Sequence, residues 1–214
     1  MNKKIRYSEL FSVPCNNESL YKKIKVDQES ISYITKPYFA EIIVDLINKH
    51  IKKYNLSSIH IVDMTACVGG DTISFSKNFN SVTAFEIDNN RYDSLINNIT
   101  VYGLTNIKTY NVNVLSALHL MPQFDIVYMD PPWGGNDYKN VRNLRLTLSD
   151  IPIESIVINV FNENKMKCVP KLMVLKLPKN YDVEFMSNKL NAKNIKFVFY
   201  YVKKLLIVII EKGN

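Results

Sequence analysis

The residues best suited to chemistry crowd into one stretch, "DIVYMDPPWGGND" (Asp125–Asp137), which holds the only tryptophan of the chain and two of its six glycines. Moving a methyl group onto the exocyclic amine of a nucleobase requires the amine lone pair to leave conjugation with the ring. A side-chain oxygen and a backbone carbonyl on a stiff Pro-Pro turn can accept the amine hydrogens and aim that lone pair. An aromatic side chain directly behind them can stack on the base and fix its plane. Asp130, Pro131, Pro132 and Trp133 supply those parts in that order, and Gly134 and Gly135 leave room for a base. Asp130, Pro131 and Trp133 are therefore the expected catalytic residues. The competing expectation is a tryptophan folded back onto the core.

A second set of residues points to the methyl donor. Asp63 is followed by "MTACVGGDT", and Glu86 ends the apolar run "SVTAF". An acid at that place can accept both hydroxyls of an adenosine ribose, as in nicotinamide-binding folds. The loop after Asp63 lacks the G-x-G-x-x-G spacing that a pyrophosphate needs, and it begins with an acid able to meet a cationic ligand end. S-adenosylmethionine, which carries an amino acid and a sulfonium but no phosphate, fits better than a dinucleotide.

These residues need elements to place them. Residues 36–54 show a helical period through Phe39, Ile42, Ile43, Leu46, Ile47 and Ile51. The chain then alternates. Strands are expected at 59–64, 81–87, 106–112, 124–130 and 171–178, with helices at 71–78, 88–102, 149–161 and 181–190. Asp88 caps the second of those helices and Gly103 stops it. Two last strands, 195–201 and 205–211, flank Lys203-Lys204 and must be antiparallel. Continuous apolar strands alternating with helices mean a mainly parallel sheet covered on both faces, so the fold expected is α/β and Rossmann-like with seven strands. Ligands of such sheets bind beyond the carboxyl ends of the strands, where Asp63, Glu86, Asn113 and Asp130 all fall. Residues 1–34 read as a short N-terminal extension, and 35–214 as the catalytic domain.

The chain has 214 residues, 47% of them hydrophobic, with a formal charge of +7. That is enough apolar material for one full core, and the basic balance favours a polyanion, nucleic acid first. Three cysteines and three histidines form no metal-binding spacing, so no metal is expected. Scattered cysteines suit a reducing compartment, cytoplasmic or nuclear. The longest apolar run, "LLIVII", is too short to span a bilayer, so no membrane is expected.

The motifs resemble those of the trimethylguanosine synthases, the RNA cap hypermethylases. "VDMTACVGGDTISF" is similar to that family's V-D-x-F-C-G-V-G-G-N-T-I-x-F, "FEIDNNRYDSLINNITVYG" to its I-D-I-D stretch ending in N-N-A-x-V-Y-G, and "DPPWGGNDY" to S-P-P-W-G-G-P-D-Y. The resemblance implies S-adenosylmethionine-dependent methylation of N2 in the 7-methylguanosine of an RNA 5′ cap, by a monomer. It carries Thr35, Asp63, Cys67, Gly69, Glu86, Asn113 and Asp130 to the cofactor. It places Trp133 against the guanine, Phe11 and Asn98 in the substrate site, and Tyr138, Lys179 and a basic residue among Lys3, Lys4 and Arg6 at the cap phosphates. Three departures stand out: Ala66-Cys67 replaces Cys-Gly, Asn113 replaces an acid, and Asp130 replaces serine. The last brings the turn closer to N6-adenine methyltransferases. The rival readings are therefore an N6-adenine or guanine-N2 methyltransferase on RNA or DNA, and an inactive cap-binding subunit.

Overall fold

The computed structural model describes residues 6–12, 14–121, 123–135 and 137–212. The chain forms two compact units, Met1–Leu46 with His60–Val114, and Ile47–Ile59 with Leu115–Asn214.

The first unit opens with two single-turn helices, α1 (Tyr7–Leu10) and α2 (Ser30–Tyr33), followed by α3 (Pro37–Ile51), which runs on beyond it. Pro37 occupies the first helical position, where its missing N–H costs nothing. Then come β1 (His60–Asp63), α4 (Gly70–Asn78), β2 (Ser81–Phe85), α5 (Asn89–Val101) and β3 (Ile107–Tyr110). The strands pair in parallel, His60 opposite Ser81 and Val82 opposite Ile107. Asp88 caps α5 as expected, its carboxylate accepting from the Arg91 N–H at 2.9 Å. The segment expected as an extension packs Leu10, Phe11 and Ile24 against Val68, Ile73 and Tyr102.

The second unit holds α6 (Val114–Ala117, starting at its border), β4 (Ile126–Met129), β5 (Thr147–Leu148), β6 (Ile151–Pro152), α7 (Ile153–Val160), β7 (Leu172–Pro178), α8 (Val183–Asn191), β8 (Ile195–Val202) and β9 (Leu205–Lys212). Strand β4 runs parallel to β7, and β9 lies between β7 and β8, antiparallel to both. The seven long strands follow the order β3-β2-β1-β4-β7-β9-β8. One expectation is corrected. The helix expected from Ser149 starts at Ile153, because Ser149 (φ +48°) and Asp150 (φ +63°) make the two-residue turn of the β5–β6 hairpin. Both turn residues have positive φ, the conformation that closes tight hairpins.

Asn98 on α5 is fully buried and ties three segments of the first unit. Its carbonyl oxygen accepts from the Lys25 and Asn97 N–H groups (2.8 and 3.1 Å), and its amide donates to the Lys25 and Val68 carbonyls (2.8 and 2.9 Å). Both acceptor and both donor positions are thus used. Asn98→Ala leaves the Lys25 N–H and two carbonyls to find new partners. The expected loss is about 2–4 kcal/mol, read as a shifted urea midpoint at unchanged m-value. An unchanged midpoint would show that Asn98 ties nothing.

Candidate active site

In the first unit, the loop from β1 to α4 is drawn together by carboxylates. Asp63, fully buried at the end of β1, accepts from the Thr65 N–H (3.1 Å) and the Thr72 hydroxyl (2.6 Å). Glu86 follows β2 and accepts from the Cys67 N–H and the Asp88 N–H, 2.8 Å each. One bond on each carboxylate oxygen leaves acceptor capacity for two further donors, which is what a cis-diol needs. Two residues of the loop adopt left-handed backbone, Cys67 (φ +50°) and Gly69 (φ +98°). A Cβ at Gly69 would lie 2.9 Å from the Leu95 Cδ1, so both conformation and packing require glycine there.

The Cys67 thiol contacts the Ser30 hydroxyl at 3.3 Å. Burial pushes it up to about 11, with the nearby Glu86 carboxylate adding to the rise and the Ser30 contact opposing it. Thr35 is buried, and its hydroxyl donates to Asp71 on α4 at 2.7 Å. It borders a cavity of about 210 Å³ whose lining includes Phe11, Gly70, Lys77 and Tyr102. Burial lowers the Lys77 ammonium below the usual lysine range. Asn113 is half-buried between β3 and α6, while Asn111 just before it donates to the Glu86 carbonyl at 2.9 Å.

In the second unit, β4 delivers Asp130, which is paired with the ammonium of Lys176 on β7. Lys176 is 3% exposed in a strand buried from Leu172 to Pro178. A buried ammonium needs a counter-charge, and Asp130 provides one. Pro131 is buried, Pro132 exposed and Trp133 half-exposed. The indole stands nearly perpendicular to Tyr138, with centroids 5.1 Å apart, and the Lys176 ammonium lies 5.8 Å from its centroid. The indole N–H is buried with no hydrogen-bond partner among the described residues. Gly134 and Gly135 have φ of +85° and +72°, and a Cβ on either would meet open space. Asn180 fixes the segment behind the turn, donating to the Tyr138 and Val141 carbonyls at 2.7 Å each.

Several expected residues sit otherwise than the sequence suggests. Asn98, expected beside the guanine, commits every hydrogen-bonding position to Lys25, Asn97 and Val68, so it serves as a tie and offers a substrate nothing. Phe11, expected to meet the substrate, is 2% exposed within a hydrophobic cluster. Lys3 and Lys4 lie outside the described residues. Arg6 is exposed, 3.7 Å from Glu9. Lys179 is exposed, its N–H donating to the Lys204 carbonyl at 3.2 Å. Lys176 and Asn180 were not singled out from the sequence. A lysine inside the otherwise apolar "KLMVLKLP" was the available signal for the first. Among the described residues, no cluster of His, Cys, Asp and Glu could hold a metal ion, and no helix is long and apolar enough to cross a membrane.

Comparison with known proteins bears on family and fold. A family model described as RNA cap guanine-N2 methyltransferase matches residues 58–207. An uncharacterised protein of Acanthamoeba polyphaga mimivirus is 32% identical over 219 residues, covering 93% of this chain and 83% of that one. Among solved structures, a precorrin-6y C5,15-methyltransferase from Geobacter metallireducens superposes with a TM-score of 0.60 at 13% identity, over 90% of this chain and 94% of that one. The hMettl16 catalytic domain in complex with the MAT2A 3′UTR hairpin 6 superposes with a TM-score of 0.63 at 13% identity, over 89% and 75%. At such identities the structural likeness speaks for the fold, a Rossmann-like methyltransferase fold with a seven-stranded, mostly parallel sheet.

Two measurements check the local chemistry. A thiol pushed up to about 11 is ionised to only about one part in a thousand at pH 8, and the thiolate is the reactive form. Iodoacetamide at pH 8 should therefore label Cys67 at least about tenfold more slowly in the folded chain than in urea, as read by peptide mass mapping. Equal rates would mean that the thiol is neither buried nor raised. For the ion pair, Asp130→Ser removes the counter-charge of a buried ammonium and should cost about 3 kcal/mol. Adding Lys176→Met should return most of that loss, whereas simple additivity in this cycle would show the two side chains to be uncoupled.

Proposed function

This chain belongs to the RNA cap guanine-N2 methyltransferase family, and from that membership we propose that it methylates the exocyclic N2 of 7-methylguanosine in an RNA 5′ cap. The observation that carries the reading is the Asp130–Trp133 turn, where a paired acid, two prolines and a half-exposed indole stand beside two glycines with open space. The orphaned indole N–H adds to it, because a buried donor without a partner calls for an acceptor that a ligand can bring.

The family and fold imply S-adenosylmethionine as methyl donor. The residues of the first unit suit it: the loop after β1 lacks the glycine spacing of a pyrophosphate site, and Glu86 keeps acceptor capacity for a ribose diol. When bound, this cofactor supplies a methyl group made electrophilic by its sulfonium. Glu86 would hold the ribose, the backbone of Cys67 and Gly69 would line the amino-acid end, and Asn113 would meet the adenine. Asp63, its carboxylate set by Thr65 and Thr72, would shape the loop and direct negative charge towards the cationic end.

On the acceptor side, the Asp130 carboxylate and the Pro131 carbonyl would take the two hydrogens of the amine and turn its lone pair out of conjugation. Lys176 would keep Asp130 oriented, so that the acid works as a fixed acceptor. Trp133 would stack on the purine. Because 7-methylguanine is cationic, that stacking gains roughly 0.5–2 kcal/mol over neutral guanine. Tyr138 would brace the indole, and Lys179 would meet the cap phosphates.

The defining experiment supplies labelled S-adenosylmethionine with 7-methyl-GTP, GTP, uncapped RNA or DNA, and identifies the methylated atom. Label on N2 of 7-methyl-GTP is expected. Label on adenine N6 of uncapped nucleic acid would move the function to the rival base, and cap binding without turnover would leave only a binding subunit. Trp133→Ala should abolish turnover with the melting temperature nearly unchanged, and Trp133→Phe should keep part of it. A core tryptophan would instead cost 3–5 kcal/mol on truncation. Glu86→Gln should weaken cofactor binding about tenfold by calorimetry, and unchanged affinity would remove Glu86 from the site.

A further inference from the structure

A groove of about 590 Å³ lies in the first unit between the segment 20–25 and the last turns of α5. Lys22, Lys23 and Lys25 line it together with Asn97 and Thr100, and no acidic residue does. All three lysines are exposed, while Ile24 between them is 4% exposed and packs into the hydrophobic cluster. The apolar side chain thus anchors the segment and leaves its neighbours facing water.

The backbone under the lysines is pinned. Asn97 donates to the Lys23 carbonyl at 2.9 Å, and Asn98 holds both the N–H and the carbonyl of Lys25 at 2.8 Å. The same Asn98 amide donates to the Val68 carbonyl in the loop from β1 to α4. The groove and the candidate cofactor loop therefore share one rigid joint.

We propose that this groove is a binding track for the phosphate backbone of the single-stranded RNA that follows the cap. The inference rests on the proposed function for its choice of RNA, and on the groove itself for its choice of phosphates. Three lysines in a groove with no acid in its lining attract a polyanion, and their pinned backbone reduces the ordering cost of binding. Lys23 closes the short 3-10 helix Glu18–Lys23 and Ile24 after it is extended, which sets Lys25 roughly 6.6 Å on at 3.3 Å per residue, a spacing suited to successive phosphates of an unpaired strand. The apolar side chains of Leu20 and Val101 along the same groove offer contact to sugars and bases without reading sequence.

The test compares the wild-type chain with the triple variant Lys22→Gln, Lys23→Gln, Lys25→Gln, using 7-methyl-GTP, a capped 12-nucleotide RNA and the same RNA uncapped. Binding is read by fluorescence anisotropy between 50 and 200 mM salt, and melting temperature serves as the folding control. The variant should methylate 7-methyl-GTP like wild type while binding both RNAs about tenfold or more weakly at 50 mM salt. The slope of log affinity against log salt should flatten by about 2, from about 0.7 for each of three phosphates. Unchanged RNA affinity and slope would overturn the proposal, as would an equal loss on the mononucleotide. A preference for phosphatidylserine vesicles over RNA, lost in the variant, would overturn it too. The uncapped RNA keeps the two readings apart: if cap methylation fails, the track still shows in that arm, and if the track fails, methylation of 7-methyl-GTP persists. Should the triple variant melt early, Lys22→Glu with Lys23→Glu asks the same question while leaving Lys25, held at both its N–H and its carbonyl, unchanged.

Discussion

A carboxylate placed at the end of a buried strand must be compensated where it stands, and that constraint organises the candidate residues of each unit. Asp63 is held by a backbone N–H and a hydroxyl, Glu86 by two backbone N–H groups, and Asp130 by a buried ammonium. Solvation differs among the three in a way that suits their proposed work. Neutral donors leave Glu86 with spare acceptor capacity for a ligand. A counter-charge fixes Asp130 in direction. For Asp63 and Glu86 the cost of burial is met by the segments they organise, whereas for Asp130 the counter-charge comes from strand β7.

Asp130 also departs from the serine that the resemblance predicts at that position, and Lys176 is what makes the departure tolerable. An added acid beside a cationic purine is attractive on its own. Paired with Lys176, it contributes little net charge and acts mainly through its oxygens. Under the proposed function, selectivity for the 7-methyl group would then rest chiefly on the indole of Trp133. The ammonium 5.8 Å from that ring adds a positive charge on the platform itself, which tempers the attraction for a second cation.

Much of this was legible in the sequence because it is local. The period-3.6 face of α3, the Asp88 cap, the Gly103 stop and the continuous apolar runs of β1, β4 and β7 depend on neighbours within a few residues. The Pro-Pro-Trp turn was readable for the same reason. What stayed hidden depends on partners far along the chain. Lys176 meets an acid 46 positions away, and Asn98 meets Lys25 across 73. Phe11, placed in the substrate site by the resemblance, is instead enclosed with Val68, Ile73 and Tyr102. The β5–β6 hairpin was misread because serine and aspartate are both helix caps and turn residues, and only the positive φ of both decides between the two.

The position of β9 has a consequence for how the second unit is assembled during synthesis. Strand β8 leaves the ribosome before β9, yet β9 is its hydrogen-bonding neighbour and its link to β7. Until Leu205–Lys212 has docked, β8 has no neighbour in the sheet it will join. It is an eight-residue strand carrying Phe197, Phe199, Tyr200 and Tyr201, with the aromatic content and open edge that favour pairing with the wrong chain. Any opening that detaches β9 therefore bares an aromatic edge as well, and the lysines at 203 and 204, directly behind β8, place charge beside that edge, where it disfavours pairing with a second chain.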